Sequence, residues 1–238
     1  MLLAAGLGTR LRPLTDHAPK ALVDVGGVPI LERVARRLIE AGADRLIVNL
    51  HHFGEQIREY VAKRDGFGVE VVFSEEEAQP LETGGGLLKA APLFRRDAPF
   101  FLHNADILTD LPLTEMYAAH RETSPLATLA VMERPTSRYL LFDEVGLFGR
   151  ADEKKGLRIE ARPPRGEVRP LAFGGVHVIS PEILDHFTES GAFSILEPYL
   201  RLAGEGMRID PFRIDGAYWS DIGKPEQLEE ARRWVGGN

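Results

Sequence analysis

A glycine-rich segment near the start of the chain, Gly6-Leu7-Gly8-Thr9-Arg10-Leu11-Arg12-Pro13-Leu14-Thr15, is the first candidate for chemistry. Glycines that follow a strand let backbone N–H groups approach phosphate oxygens closely. Arg10 and Arg12 add charged donors suited to phosphate, and Pro19-Lys20 follows downstream. A second cluster, Pro80-Leu81-Glu82-Thr83-Gly84-Gly85-Gly86, opens a predicted helix. A helix start offers free N–H groups and a partial positive charge. Thr83 is its candidate N-cap. Two acids complete the set. His103-Asn104-Ala105-Asp106 ends an apolar strand, and Asp221 in Trp219-Ser220-Asp221-Ile222-Gly223-Lys224-Pro225 stands just before a helix. An acid at a strand's carboxyl end faces the ligand crevice of a parallel sheet. Magnesium takes oxygen ligands and keeps waters, so one or two carboxylates plus phosphates suffice to hold it.

Other chemistries fit these residues less well. A dinucleotide-binding fingerprint needs glycine where this chain has Leu11, and an acid after the second strand, where it has Asn49, His51 and His52. A phosphate loop of the nucleoside-triphosphatase kind needs Gly-Lys-Ser/Thr, which is absent. Taken singly, each glycine cluster reads as a turn and each acid as a cap; it is their company that points to phosphate chemistry. His51-His52 is a poor metal pair, because neighbouring strand residues face opposite ways.

The elements that must carry these groups are legible from periodicity. Leu2–Ala5 reads as a short strand that begins almost at Met1, so either the strand is very short or the start lies a few residues late. Ile30, Leu31, Val34, Leu38 and Ala41 keep helical spacing, with Gly42 as a stop. Strands are predicted at 45–50, 69–73 and 100–103, and helices at 55–63, 84–91 and 113–120. Such alternation predicts an α/β fold with a mostly parallel sheet and helices on both faces. The second half reads as strands at 126–132, 139–142, 172–179 and 207–214, with helical stretches at 181–187, 194–203 and 225–234. Arg150–Arg169, rich in charge, Gly and Pro, reads as an exposed excursion. Phe173-Gly174-Gly175-Val176-His177 is an apolar strand broken by glycines, which mark a bulge or a close ligand. His177 reads as a packing residue.

Composition narrows the function classes. With 238 residues the chain suits one large α/β domain, 1–238, whose nucleotide-binding portion covers about 1–125 and whose completing portion covers about 126–238. A formal charge of −7 argues against nucleic acid as a partner. The chain has no cysteine, which removes disulfides, thiolate metal sites and a cysteine nucleophile. No apolar run is long enough for a membrane span, and no signal peptide is visible, so a cytoplasmic protein is expected.

The run Leu3-Ala4-Ala5-Gly6-Leu7-Gly8-Thr9-Arg10-Leu11-Arg12-Pro13-Leu14-Thr15 with Pro19-Lys20-Ala21-Leu22 closely resembles the signature of sugar-1-phosphate nucleotidyltransferases. The resemblance covers nearly the whole chain. It implies a three-layer α/β/α Rossmann-like sandwich with a mixed, mostly parallel central sheet. It implies that Ala4, Ala5, Gly6, Gly8, Thr9 and Arg10 bind the nucleotide, with Gln79, Leu81, Thr83 and Gly84 bordering its base and ribose. Arg10, Lys20 and Asp106 become the catalytic set, and Asp106 and Asp221 the magnesium ligands. Glu82, Asn104, Gly174 and Gly175 fall on the sugar-phosphate side. Many members carry Glu-Lys-Pro before the glycine strand; this chain has Ala161-Arg162-Pro163, so Arg162 stands where the family's lysine holds the sugar phosphate. Arginine and lysine are not equivalent there.

The implied substrates are an NTP and a sugar 1-phosphate, and the reaction is attack on the α-phosphorus with release of pyrophosphate. Glu82-Thr83-Gly84-Gly85-Gly86 resembles the form found in N-acetylmuramate-1-phosphate uridylyltransferases, which favours UTP. Mannose-1-phosphate guanylyltransferase is the alternative. A non-catalytic nucleotide-sugar sensor on the same fold would typically have lost an acid or the lysine, and this chain keeps Lys20, Asp106 and Asp221.

Overall fold

The computed structural model describes residues 1–77 and 79–237. In chain order the strands are β1 (Leu2–Leu3), β2 (Asp24–Val25), β3 (Val28–Pro29), β4 (Arg45–Leu50), β5 (Glu70–Glu75), β6 (Phe100–Asn104), β7 (Ile107–Thr109), β8 (Ala127–Met132), β9 (Arg138–Asp143), β10 (Gly146–Asp152), β11 (Leu157–Glu160), β12 (Arg169–Ile179), β13 (Ile209–Arg213) and β14 (Trp219–Asp221). The α-helices are α1 (Ile30–Glu40), α2 (Gly54–Ala62), α3 (Glu82–Ala90), α4 (Leu113–Thr123), α5 (Leu196–Gly204) and α6 (Pro225–Gly237). The fold is of the α/β class, Rossmann-like, with a mixed sheet flanked by helices. Two compact units share the chain. The first comprises Met1–Leu81, Leu102–Leu113 and the stretch from Tyr218 onward; the second comprises Glu82–Phe101 and Thr114–Ala217.

In the first unit the pairing is parallel: β1 lies between β4 and β6, and β5 extends β4. The register sets Leu3 beside both Asn49 and Asn104, so three strands end together. β4 is buried along nearly its whole length, as a strand covered on both faces must be. Helix α1 buries Ile30, Leu31, Val34, Ala35 and Leu38, the stripe its periodicity predicts. Each such fully buried Leu or Ile contributes roughly 1.5–3 kcal/mol. Gly42, at φ 100°, ends the helix in a conformation that side chains resist. A short antiparallel ladder, β7 with β14, was not legible in the sequence. Arg37 secures it, donating to the carbonyls of Thr109 and, at 2.7 Å, of Leu111.

In the second unit the pairing is antiparallel except for β13 on β8. The register of β12 on β8 shifts between Phe173 and His177, so the glycine pair sits in a bulge. Gly175 has φ 78°, and a Cβ at Gly174 would lie 3.1 Å from the Ala130 carbonyl oxygen. His177 is buried, its ring nitrogen 3.0 Å from the Tyr199 hydroxyl, which is the packing role expected of it. The stretch 150–169 is mostly exposed, yet it opens as a hairpin: β10 continues to Asp152 and turns into β11 through Gly156 at φ 60°. The polar alternation of Leu157-Arg158-Ile159-Glu160 hid this strand. No described helix is long and apolar enough to cross a membrane.

Candidate active site

Three groups separated widely in sequence meet in the first unit. The Lys20 ammonium donates to Asp106 Oδ2, and Asp221 Oδ1 lies 3.6 Å from the same nitrogen. The β7–β14 ladder makes this possible. It pairs Asp221 with Ile107, next to Asp106, and the Ile222 N–H donates to the Asp106 carbonyl at 3.0 Å. Lys20 enters from a short turn of 3-10 helix, Lys20–Leu22, with its side chain only 10% exposed. The one ammonium is shared between the two carboxylates. Asp221 Oδ1 is moreover buried and accepts no hydrogen bond. A buried carboxyl oxygen in that state is costly unless a cation or donor completes it. Among the described residues no group of three or more His, Asp or Glu side chains could hold a metal. Two carboxylates with phosphates and water are the donor set magnesium accepts, so Asp106 and Asp221 fit that ion.

The first glycine loop closes over this lysine. Gly8 is left-handed at φ 65°, and a Cβ there would meet Thr15 Cγ2 at 3.0 Å and Lys20 Cβ at 3.1 Å. The Thr15 hydroxyl donates to the Gly8 carbonyl at 2.8 Å, and the turn Thr9–Leu11 follows. Gly6, Leu7, Thr9 and Arg10 are exposed. The Arg10 guanidinium lies beside Gly223, where a Cβ would come within 2.8 Å of Arg10 Nη2 and 2.9 Å of Asp221 Oδ1. Gly223 therefore makes room for both, a role that its place after Asp221 did not disclose. Arg12 pairs with Asp16 at 3.3 Å, both largely exposed.

Ala4 and Ala5 are engaged differently. Their N–H groups donate to Asn49 Oδ1 at 2.5 and 3.2 Å. Asn49 Nδ2 donates to Glu76 Oε1 at 2.7 Å, and Glu76 Oε2 accepts the Leu81 N–H at 2.7 Å. Asn49 and Glu76 are buried. Gln79 is exposed beyond them. Asn104, half-buried at the end of β6, gives its carbonyl to His103, whose ring nitrogen is 2.8 Å away. Burial pulls the His103 pKa down to about 4 against the opposing effect of that carbonyl, so it is a neutral core group.

The second unit holds the other residues singled out from the sequence. Glu82 opens α3 with φ 59°, uncommon for a side chain, and is exposed. Thr83 lies inside the helix and makes no N-cap: its hydroxyl accepts the Ile195 N–H at 2.9 Å. The N–H groups of Gly84 and Gly85, expected to be free, donate to the Phe193 carbonyl at 2.9 and 3.3 Å. A Cβ at Gly84 would collide with the Phe193 ring, so this glycine is required for packing. Arg162 grips Asp143 through both guanidinium arms, at 2.6 and 2.8 Å. That fork holds the Asp143 carboxyl far below the usual carboxylate range. Asp143, which the sequence reading did not single out, is fully buried on its side chain.

Comparisons with known proteins identify the family of the chain. The profile described as "Nucleotidyl transferase" matches residues 1–236. The chain is 34% identical to the N-acetylmuramate alpha-1-phosphate uridylyltransferase of Caulobacter vibrioides, over 95% of this chain and 92% of that protein. It is 32% identical to the mannose-1-phosphate guanylyltransferase catalytic subunit beta of Drosophila pseudoobscura pseudoobscura, over 96% of this chain and 60% of that one. The solved UDP-glucose pyrophosphorylase of Acinetobacter baumannii shares the fold, with TM-score 0.79 at 20% identity, covering 99% of this chain and 92% of that one. The chain belongs to the nucleotidyl transferase family.

Proposed function

We propose that this protein transfers a uridylyl group from UTP to a sugar 1-phosphate, with N-acetylmuramate 1-phosphate as the foremost acceptor, in the cytoplasm. The observation that carries the proposal is the buried Lys20 ammonium between Asp106 and Asp221, beside the Gly6–Arg10 loop. In the reaction a phosphate oxygen of the sugar 1-phosphate attacks the α-phosphorus of the NTP. A new P–O bond forms, the bond to the α–β bridging oxygen breaks, and pyrophosphate leaves with the electron pair. A phosphate monoester is mostly dianionic near neutral pH, since its second pKa is about 6. The nucleophile therefore needs no general base. Positioning and charge neutralisation supply the catalysis.

Lys20 offsets charge on the transferring phosphoryl group, and Arg10 holds the triphosphate. Magnesium, held by Asp106 and Asp221, would neutralise phosphate charge there. The exposed groups of Gly6 and Thr9, with half-buried Gly8, meet the phosphates, while Ala4 and Ala5 shape the loop from beneath. Gln79 and Leu81 border the base. Thr83 and Gly84 keep the base-side assignment, and Asn104, Glu82, Gly174 and Gly175 the sugar-phosphate one; Arg162 is held by Asp143. The uridylyltransferase relative, matched along almost all of its length, supports uracil and N-acetylmuramate. The guanylyltransferase relative favours GTP with mannose 1-phosphate as the second reading.

The test offers each common NTP with a panel of sugar 1-phosphates and measures pyrophosphate release. UTP with N-acetylmuramate 1-phosphate is expected to be fastest. A preference for GTP with mannose 1-phosphate would replace the uridylyl reading with the guanylyl one.

A further inference from the structure

The carboxyl ends of β1, β4 and β5 are joined by side chains rather than by the ladder alone. Asn49 stands one residue before the end of β4 and receives two consecutive N–H groups, those of Ala4 and Ala5, on one oxygen. Its amide nitrogen passes to Glu76, immediately after β5, and the second oxygen of Glu76 receives the Leu81 N–H. Glu76 is itself fixed by its backbone: its N–H donates to the Leu50 carbonyl at 2.8 Å, and its carbonyl lies 2.6 Å from His51 Nδ1. Both relay side chains are almost fully buried, at 2% and 3% exposure. A buried relay of this kind has one self-consistent arrangement of donors and acceptors. It places the root of the phosphate loop and the backbone at Leu81 in a single register.

We infer that Asn49 and Glu76 are positioning residues for nucleotide binding, coupling the loop that takes the triphosphate to the segment that borders the base. Neither side chain touches the nucleotide; each acts through the backbone it holds. The inference rests on the nucleotide assignment of the proposed function. It also explains why Ala4, Ala5 and Leu81 belong to the site although their N–H groups are engaged by protein partners.

The polarity of the relay can be reversed. In Asn49→Asp a carboxyl oxygen still accepts from Ala4 and Ala5, but the other oxygen faces Glu76 acceptor to acceptor. In Glu76→Gln the amide cannot accept from both Asn49 and Leu81. The double variant Asn49→Asp/Glu76→Gln restores every bond: the amide introduced at position 76 donates to the carboxylate introduced at position 49, and the amide oxygen accepts from Leu81. The experiment is a UTP titration of wild type, both single variants and the double variant, with thermal midpoints measured on the same samples. Each single substitution should weaken UTP by about tenfold or more, and the double variant should recover most of that loss. If Asn49→Asp does not fold, Glu76→Gln and the double variant carry the same comparison. Single variants that lose thermal stability yet bind UTP as wild type does would overturn the inference, leaving the relay purely structural. A double variant that binds no better than the singles would overturn it too. Wild-type protein that binds no NTP would overturn the nucleotide assignment and this inference together, whereas wild-type binding that neither single variant weakens would overturn the inference alone.

Discussion

Two kinds of buried polar cluster, one taken from each unit, differ in how completely their members are partnered. In the second unit two clusters are complete: Arg162 grips Asp143 with both arms, and His120 lies between Thr128 and Ser180 at 2.8 and 3.0 Å. The Ser180 hydroxyl donates to the Pro125 carbonyl, so this Ser–His contact is a closed core network rather than a nucleophile and its base. In the first unit the cluster stays open. Lys20 is shared by two acids, and Asp221 keeps a buried oxygen without a hydrogen bond. The contrast sets polar groups that build the fold against those proposed to take a ligand. Burial alone does not make that distinction; an incomplete cluster of opposite charges beside a glycine loop is the more specific sign.

The largest effect should follow from emptying the open cluster. Asp106→Asn and Asp221→Asn should each lower kcat by about 10²–10³-fold with the thermal midpoint nearly unchanged, as steady-state kinetics and a melting curve would show. Near-normal magnesium-dependent turnover in both variants would dissolve the contrast between the clusters. Lys20→Ala should cost about 10²-fold in kcat and less in NTP affinity, because its proposed role is at the reacting phosphates. A solvated loop lysine would leave the saturated rate unchanged.

The closed pairs should respond in stability. Arg162→Ala removes the charged partner of the buried Asp143 carboxyl, leaving it the backbone N–H groups of Val145, Gly146 and Arg165, and the loss should be about 3 kcal/mol, read as a lower denaturation midpoint. A raised KM for the sugar phosphate at an unchanged midpoint would instead return Arg162 to the substrate. A smaller effect belongs to pH. Burial lowers the pKa of His120 to about 4, as it does that of His103, from an ordinary value of 6.5. Between those values the unfolded chain binds more protons than the native one, so stability falls as pH drops from about 6.5 to 4. Below that, Asp143 adds a further loss, because its carboxyl is ionised in the fold well below the usual range. Denaturant midpoints measured across this range should fall; a flat profile would mean that these histidines are not neutral core groups.

The same contrast explains what the sequence disclosed. The parallel strands of the first unit are short apolar runs covered on both faces, and the glycine loop and Lys20 follow them in a recognisable order. The acids were legible too, as a strand end and a helix start. Their meeting was not, because three-residue strands such as β7 and β14 carry no periodicity. Asn49 and Glu76 escaped because a polar residue at a strand end gives no sign of what it accepts. In the second unit β11 alternates mostly polar residues and hid as a loop. Arg162 shows the converse: a motif match gave it a substrate role, while its partner, Asp143, lies nineteen positions away.

The central claim is nucleotidyl rather than phosphoryl transfer at the cluster of Lys20, Asp106 and Asp221. The direct measurement follows two labels, one on the α- and one on the γ-phosphorus of UTP, through a reaction with a sugar 1-phosphate and magnesium. The α-label should appear in the nucleotide sugar and the γ-label in pyrophosphate, with both appearing about 10²–10³-fold more slowly in Asp221→Asn. A γ-label found on the sugar, or an α-label left in free nucleotide, would contradict the account.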